Sequence, residues 1–259
     1  MRFSTRVAAT VATLPFVLGT AACGGEKPVS SAITPATTTT TAVEPQKVVP
    51  VVILNRKTFV PAMTAAQAEL KSWRLVGRMM VNGSQMLVMS GLQTSDPAAM
   101  ALVMKGRALD GKTARVVMVK NTVYLSVPGV SPAGKFVKLA TGEGSELRAL
   151  VDTNNPTKNF EALGPALRGV THTGSQRFNG EKLQVYEVTV DVPKLLKAQG
   201  KKVPAGSPRT AKYTLWMDSA HRVRELTFEF AQVSVSMSLT DFDKPVSIKA
   251  PPAGQVVRR

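Results

Sequence analysis

The side chains of this sequence that could do covalent or acid–base chemistry are few and widely separated. Cys23 is the one cysteine in 259 residues, and it closes an apolar run in "PFVLGTAACGG". A thiol can serve as nucleophile, metal ligand, half of a disulfide or attachment point. The first three roles lack partners. No second cysteine exists, and the two histidines, His172 in "VTHTG" and His221 in "SAHRV", fall at expected strand edges or turns. The patterns H-x-x-x-H, G-x-S-x-G, a Cys ligand pair and a phosphate loop are all absent. Asp152, Asp191, Asp218, Asp241 and Asp243 fall at the ends of expected elements, where turn and cap roles account for them. The expectation is therefore a protein that is not an enzyme, with no catalytic residue, metal or cofactor.

Methionine is concentrated instead. Seven of the eleven, Met79, Met80, Met86, Met89, Met100, Met104 and Met118, lie between positions 79 and 118, while aromatic residues make up 5% of the chain. Methionine is unbranched and polarizable, so it suits surfaces that adapt to varied apolar shapes. Residue by residue, ordinary core filling is the better explanation. The concentration on consecutive strands points to a deformable apolar cavity lined by Met79, Met89, Met100, Met104 and Met118, opposite Phe228, Phe230 and Met237. Segments such as "RVVMV" are apolar on both faces, so alternation leaves the inward methionines open.

The elements that must position these residues follow from periodicity. In "KTFVPAMTAAQAELKSW", Phe59, Met63, Ala66, Leu70 and Trp73 recur at helical spacing, with Thr58 as N-cap. The period then changes to two. "RLVGRMMV" and "QMLVMSGL" flank an Asn-Gly turn, "AAMALVMKGR" and "TARVVMVK" form a second hairpin, and "TVYLSV" follows. "SELRALVD" and "NFEALGPALRGV" read as short helices, the second broken at Gly164–Pro165. Strands resume with "THTGSQRF" and "EKLQVYEVTVDV", then a short helix "VPKLLKAQG". In "ELTFEF" and "VSVSMSLT" the alternation is strict, which marks strands with one dry and one wet face. "KPVSIKA" follows as a last extended segment. The fold expected is α+β: about ten antiparallel strands in a curling sheet, with three or four helices over its apolar side.

The N-terminus carries a separate signal. Arg2 and Arg6 precede "VAATVATLPFVLGTAA", an uncharged run that is short for a span of about 20 apolar residues and is interrupted by Pro15. Residues 1–22 are expected as a signal peptide. The stretch "L-G-T-A-A-C-G" resembles the bacterial lipobox, with Thr20 a less common occupant. That resemblance implies cleavage before Cys23 and a diacylglyceryl group on its sulfur, hence attachment to the outer face of the cell membrane. Residues 23–50 then hold the lipidated cysteine and a Thr/Pro-rich tether, whose 27 residues after Cys23 would reach roughly 25–30 Å. Residues 51–252 are expected as the folded domain and 253–259 as a flexible basic tail. Net charge is +16, or +14 without Arg2 and Arg6. The basic residues are scattered without aromatic interleaving, so nucleic acid is a poor partner and anionic headgroups or wall polymers are favoured.

From Thr58 to Pro252 the parts resemble the actinobacterial LppX/LprA/LprF/LprG lipoproteins, which are akin in fold to the LolA/LolB carriers. The segments that carry the resemblance are "YEVTVDVPKLL" and the C-terminal "YTLWMDSAHRVRELTFEF…SVSMSLTDFDKPVSIKAPPA", with its W-x-D turn and D-F-x-x-P-V-x-I-x-A-P ending. The resemblance implies a U-shaped antiparallel half-barrel with helices over its concave face and a hydrophobic cavity for acyl chains. It further implies a non-enzymatic binder or carrier of acylated lipids or glycolipids, monomeric, with a membrane transporter as a candidate partner. A regulatory lipoprotein that senses envelope lipids or binds a membrane protein, and a structural surface lipoprotein, are the alternatives.

Overall fold

The computed structural model describes residues 51–120, 122–140, 162–230 and 232–258. Residues 1–50, expected as signal peptide and tether, together with "SELRALVD" and the start of "NFEALGPALRGV", lie outside the described residues.

Helix α1 spans Phe59–Glu69, and its apolar stripe buries Phe59, Met63 and Ala66 together with Leu70 just beyond it. Trp73, expected on the same stripe, stands in the first strand instead. Thr58 does not cap the helix through its side chain. Its hydroxyl is turned back to accept the Asn55 N–H at 3.0 Å, and the Asn55 carbonyl accepts the Phe59 N–H at 2.9 Å. A turn centred on Asn55 therefore starts the helix.

Twelve strands follow rather than ten. The first six are β1 (Ser72–Val81), β2 (Ser84–Ser95), β3 (Ala98–Lys105), β4 (Thr113–Val119), β5 (Thr122–Ser126) and β6 (Phe136–Ala140). After the undescribed segment and a helical turn at 162–166 come β7 (Leu167–Phe178), β8 (Glu181–Asp191), β9 (Thr210–Met217), β10 (Val223–Phe230) and β11 (Val233–Thr240). The short β12 (Val256–Arg258) ends the chain, and helix α2 (Val192–Ala198) separates β8 from β9. Residues 167–170, expected as helix, open β7, and "KPVSIKA" forms no strand. Two described helices and one helical turn stand where three or four helices were expected.

All twelve strands belong to one sheet, in the order β12-β6-β5-β4-β3-β2-β1-β11-β10-β9-β8-β7. Two meanders, β1 to β6 and β7 to β11, are joined where the first strand pairs antiparallel with β11. The outermost strands, β12 and β7, do not meet, so the sheet curves without closing. Residues 253–258 depart from the expected flexible tail. A 3₁₀ turn leads into β12, which pairs in parallel with β6 from Val256 opposite Phe136 to Arg258 opposite Lys138. The Asn-Gly turns at 82–83 and 179–180 have positive φ at both residues, matching the right-handed twist of their strands.

The core lies on the sheet face that α1 covers, called here the inner face. The Phe59 ring meets Tyr186 of β8 edge-on at 5.5 Å between centroids, and both are fully buried. The Tyr186 hydroxyl accepts the Leu54 N–H at 3.2 Å, which ties the chain entering α1 to the sheet. Leu195 and Leu196 of α2 pack against the same core. Among the described residues no helix is long and apolar enough to cross a membrane.

Candidate apolar binding face

Side chains two residues apart on a strand share a face, and so do direct partners on neighbouring strands. The observed register therefore decides which candidate residues meet. Met118 of β4 stands opposite Met100 of β3, and Met104 of β3 stands opposite Met89 of β2. Met89 in turn faces Gly77 of β1, whose other partner is Met237 of β11, opposite Leu226 of β10. With only hydrogen at Gly77, no side chain of β1 stands between the two methionines in this row. One step along the strands, Leu87, Met79, Val235, Phe228, Tyr213 and Val188 form a continuous row from β2 to β8. Phe230 is two residues beyond Phe228 and faces Val233. All eight candidate residues, Met79, Met89, Met100, Met104, Met118, Phe228, Phe230 and Met237, thus share the inner face.

Their exposure is graded. Met89, Met100, Met118, Phe228 and Met237 are buried, whereas Met79, Met104 and Phe230 are half-buried at the border of the core. Leu226 occupies the same face, as the alternation in "ELTFEF" predicts, and so do Leu87, Leu102, Val116, Tyr213 and Leu215, which were not singled out from the sequence. Alternation on β9 could have flagged Tyr213 and Leu215. Leu87 carries no such signal, because its orientation depends on a bulge. From Val81 opposite Ser84 the hairpin register runs to Met80 opposite Gln85, then shifts so that Met79 faces Leu87. Met86 is the extra residue. Without the shift, an Asn-Gly hairpin would turn Met86 and Val88 inward in place of Leu87 and Met89. Met80 points to the outer face, as neighbour of Met79 on one strand.

The face is apolar but not bare of polar groups. Gln93 lies buried between partners Trp73 and Met100. Near the β7 edge, His172 Nε2 is 3.0 Å from Gln184 Oε1, and the His172 ring lies 5.2 Å from Tyr186. The Tyr213 ring stacks on Phe228 at 5.2 Å, and burial pushes its phenol up to about 12. An uncharged hydroxyl thus sits within the aromatic part of the face.

The carboxylates are engaged in turns and caps. Asp191 Oδ1 accepts the Lys194 N–H at 3.1 Å at the start of α2, and Oδ2 accepts from Arg168 at 2.6 Å. The Arg168 hydrogen bond first, and the Lys194 N–H second, hold this carboxyl below its ordinary range. Asp218, fully buried, accepts the N–H groups of Ala220 and Arg222 and the Arg222 guanidinium, and so builds the "SAHR" turn. Asp241 is held low by hydrogen bonds from Lys244 and then Arg74, and Asp243 accepts the Lys71 N–H at 2.7 Å. His221 has a left-handed φ of 60° in the same turn as Asp218. Asp152 and Cys23 lie outside the described residues. A cavity of about 340 Å³ beside the loop after β5, lined by Lys112, Ser126, Pro128 and Gly134 among others, contains none of the eight candidates.

The sequence matches no family model and no curated protein sequence. Solved structures do resemble it. The crystal structure of the lipoprotein LppX from Mycobacterium tuberculosis gives a TM-score of 0.54 at 12% identity, over 75% of this chain and 98% of LppX. The chain has the LppX fold. LprF from Mycobacterium bovis gives 0.51 at 16% identity, over 76% of this chain and 96% of LprF. Nearly all of LppX and of LprF is covered, so the likeness extends to the complete domain and not only to a shared hairpin motif. The expected resemblance to the LppX/LprF lipoproteins is thus met at the level of structure.

Proposed function

We propose that the protein is a membrane-anchored, non-catalytic lipoprotein that binds or carries acylated lipids or glycolipids in the bacterial envelope. The observation that carries this reading is the register itself. It gathers Met79, Met89, Met100, Met104 and Met118 with Phe228, Phe230 and Met237 onto one face of an unclosed sheet, and that sheet has the fold of the lipoprotein LppX. Acyl chains lie along the face between α1 and the strands, where Met79, Met104 and Phe230 form the border that remains half-exposed. Burial supplies the affinity, about 0.8 kcal/mol per methylene before association costs. Methionine side chains change rotamer at little cost, so chains of differing length and saturation fit the same surface. The headgroup stays at the open side of the sheet. The diacylglyceryl group on Cys23 holds the domain at the membrane, and residues 24–50 act as its tether.

Native mass spectrometry of the protein purified from its own host tests this reading. A bound species with the mass of an acylated lipid, released by organic extraction, is the expected result. A protein of bare mass, which also fails to take up a fluorescent fatty-acyl probe, would overturn it.

A further inference from the structure

The opposite face of the sheet has a character of its own in the N-terminal meander. Between residues 72 and 140 the sequence has nine Lys and Arg against two acidic residues, Asp96 and Asp110. Both acids stand in turns, so β1 to β6 contain no carboxylate at all. The register sets Arg74 and Arg78 of β1, Lys105 of β3, Arg115 of β4 and Lys138 of β6 on the outer face. All five are exposed. Arg74 pairs with Asp241, whereas Arg78, Lys105, Arg115 and Lys138 make no ion pair among the described residues.

Apolar side chains fill the space between them. Tyr124, Val117, Ala101 and Leu92 form one cross-strand row ending at Arg74, and Arg115, Val103, Ser90 and Val76 form the next. Val103 is 44% exposed at the middle of its strand. The C-terminal meander differs: on its outer face Glu229 stands opposite Lys212, and Glu187 and Glu225 add further negative charge. The two halves of one sheet surface thus differ in sign pattern: among the described residues the strands of the N-terminal half carry basic and apolar side chains without carboxylates, whereas those of the C-terminal half mix both signs.

We propose that the outer face of β1 to β6 docks on an anionic lipid headgroup layer. Unpaired cations in a plane complement phosphate headgroups, and Val103 with its apolar neighbours reaches the boundary between headgroups and acyl chains. A nucleic acid would also meet the charge, but of the two aromatic residues that the register puts on this face, Tyr124 and Phe136, Phe136 is buried, which leaves Tyr124 alone for bases to stack on. The surface is distinct from the inner face, so it stands whether or not the inner face holds acyl chains.

Vesicle co-sedimentation of the full chain carrying Cys23→Ser tests the proposal, with phosphatidylcholine vesicles compared with phosphatidylcholine–phosphatidylglycerol mixtures. Each basic residue at such a surface raises partitioning by about fivefold. The combined variant Arg78→Gln, Lys105→Gln, Arg115→Gln and Lys138→Gln should therefore lose on the order of a hundredfold or more on mixed vesicles. A control with the same charge loss elsewhere, Lys182→Gln, Lys197→Gln, Lys202→Gln and Lys212→Gln, should lose no more than about fivefold. On the mixed vesicles only, the indole introduced by Val103→Trp should shift its emission to shorter wavelength. Equal losses in both charge variants, an unmoved indole on bound protein, or no preference for anionic vesicles would each overturn the proposal. Binding to duplex DNA without binding to vesicles would assign the face to nucleic acid and overturn it too.

Discussion

Substitution at Met104 separates a ligand-bearing face from a filled core. Met104 stands directly opposite Met89 on one side and Ala114 on the other, at the half-buried border of the inner face. Met104→Trp places a rigid indole across the line that an acyl chain would follow between β2 and β4. The indole displaces about four methylenes of bound chain, and at about 0.8 kcal/mol each this costs about 3 kcal/mol of affinity. The expected outcome is a loss of roughly two-hundredfold in affinity for a fluorescent fatty-acyl probe. Because the indole occupies ligand space, the melting temperature of the lipid-free protein should hardly change. Met104→Leu conserves volume and should cost less than about 1.5 kcal/mol in either measurement. A filled core predicts the reverse: strain of about 1–3 kcal/mol in Met104→Trp, read as a lower melting temperature, with probe binding unaltered. That reverse pattern would refute the placement of acyl chains on this face.

Other outcomes follow from single contacts. Phe59→Ala removes a fully buried ring that packs on Tyr186 and should destabilise the fold by about 3–5 kcal/mol, measured by urea unfolding. Cys23→Ser should move the protein from the membrane fraction to the salt-extractable or secreted fraction, and a product that still resists salt extraction would count against the lipid anchor. At high pH, the unfolded Tyr213 phenol ionises from its ordinary value of 10 while the folded one stays neutral to about 12, so stability falls as pH rises through that window. Tyr213→Phe, which keeps the ring stacked on Phe228, should remove this alkaline loss. At low pH the sign is opposite. Asp191 and Asp241 have depressed folded values, so their stabilisation is present above the ordinary carboxylate value of 3.8 and disappears as pH falls through the folded values. Asp191→Asn should flatten the acid limb of the stability profile.

Much of this molecule was legible locally. The helical stripe of Phe59, Met63, Ala66 and Leu70, the two Asn-Gly hairpins and the alternation in "ELTFEF" and "VSVSMSLT" arise from interactions within a few residues, so composition and period reveal them. For the same reason Phe228, Phe230 and Met237 could be assigned to the dry side of their strands. β6 was not anticipated, because "FVKLA" is short, and neither was β12, whose three residues form a strand only through pairing with β6. Trp73 passed for a helical residue because its spacing from Leu70 fits a helix as well as a strand that follows immediately.

Sequence alone determined that apolar side chains of one type cluster in the N-terminal half and that dry and wet faces alternate in the C-terminal strands. It could not determine which face the methionines share. Their strands are apolar on both sides, so parity must be inherited from neighbours through the register, and one extra residue near Met79–Met80 reverses it for Met89. Nor could it join the two meanders. The pairing of Gly77 with Met237 links positions far apart in the chain, and no local preference encodes it. It forms because β1 and β11 each expose unpaired backbone groups along one edge and a dry face to one side, and a single sheet satisfies both at once. Only that pairing brings Met89 and Met237 to either side of Gly77 on one face of the sheet.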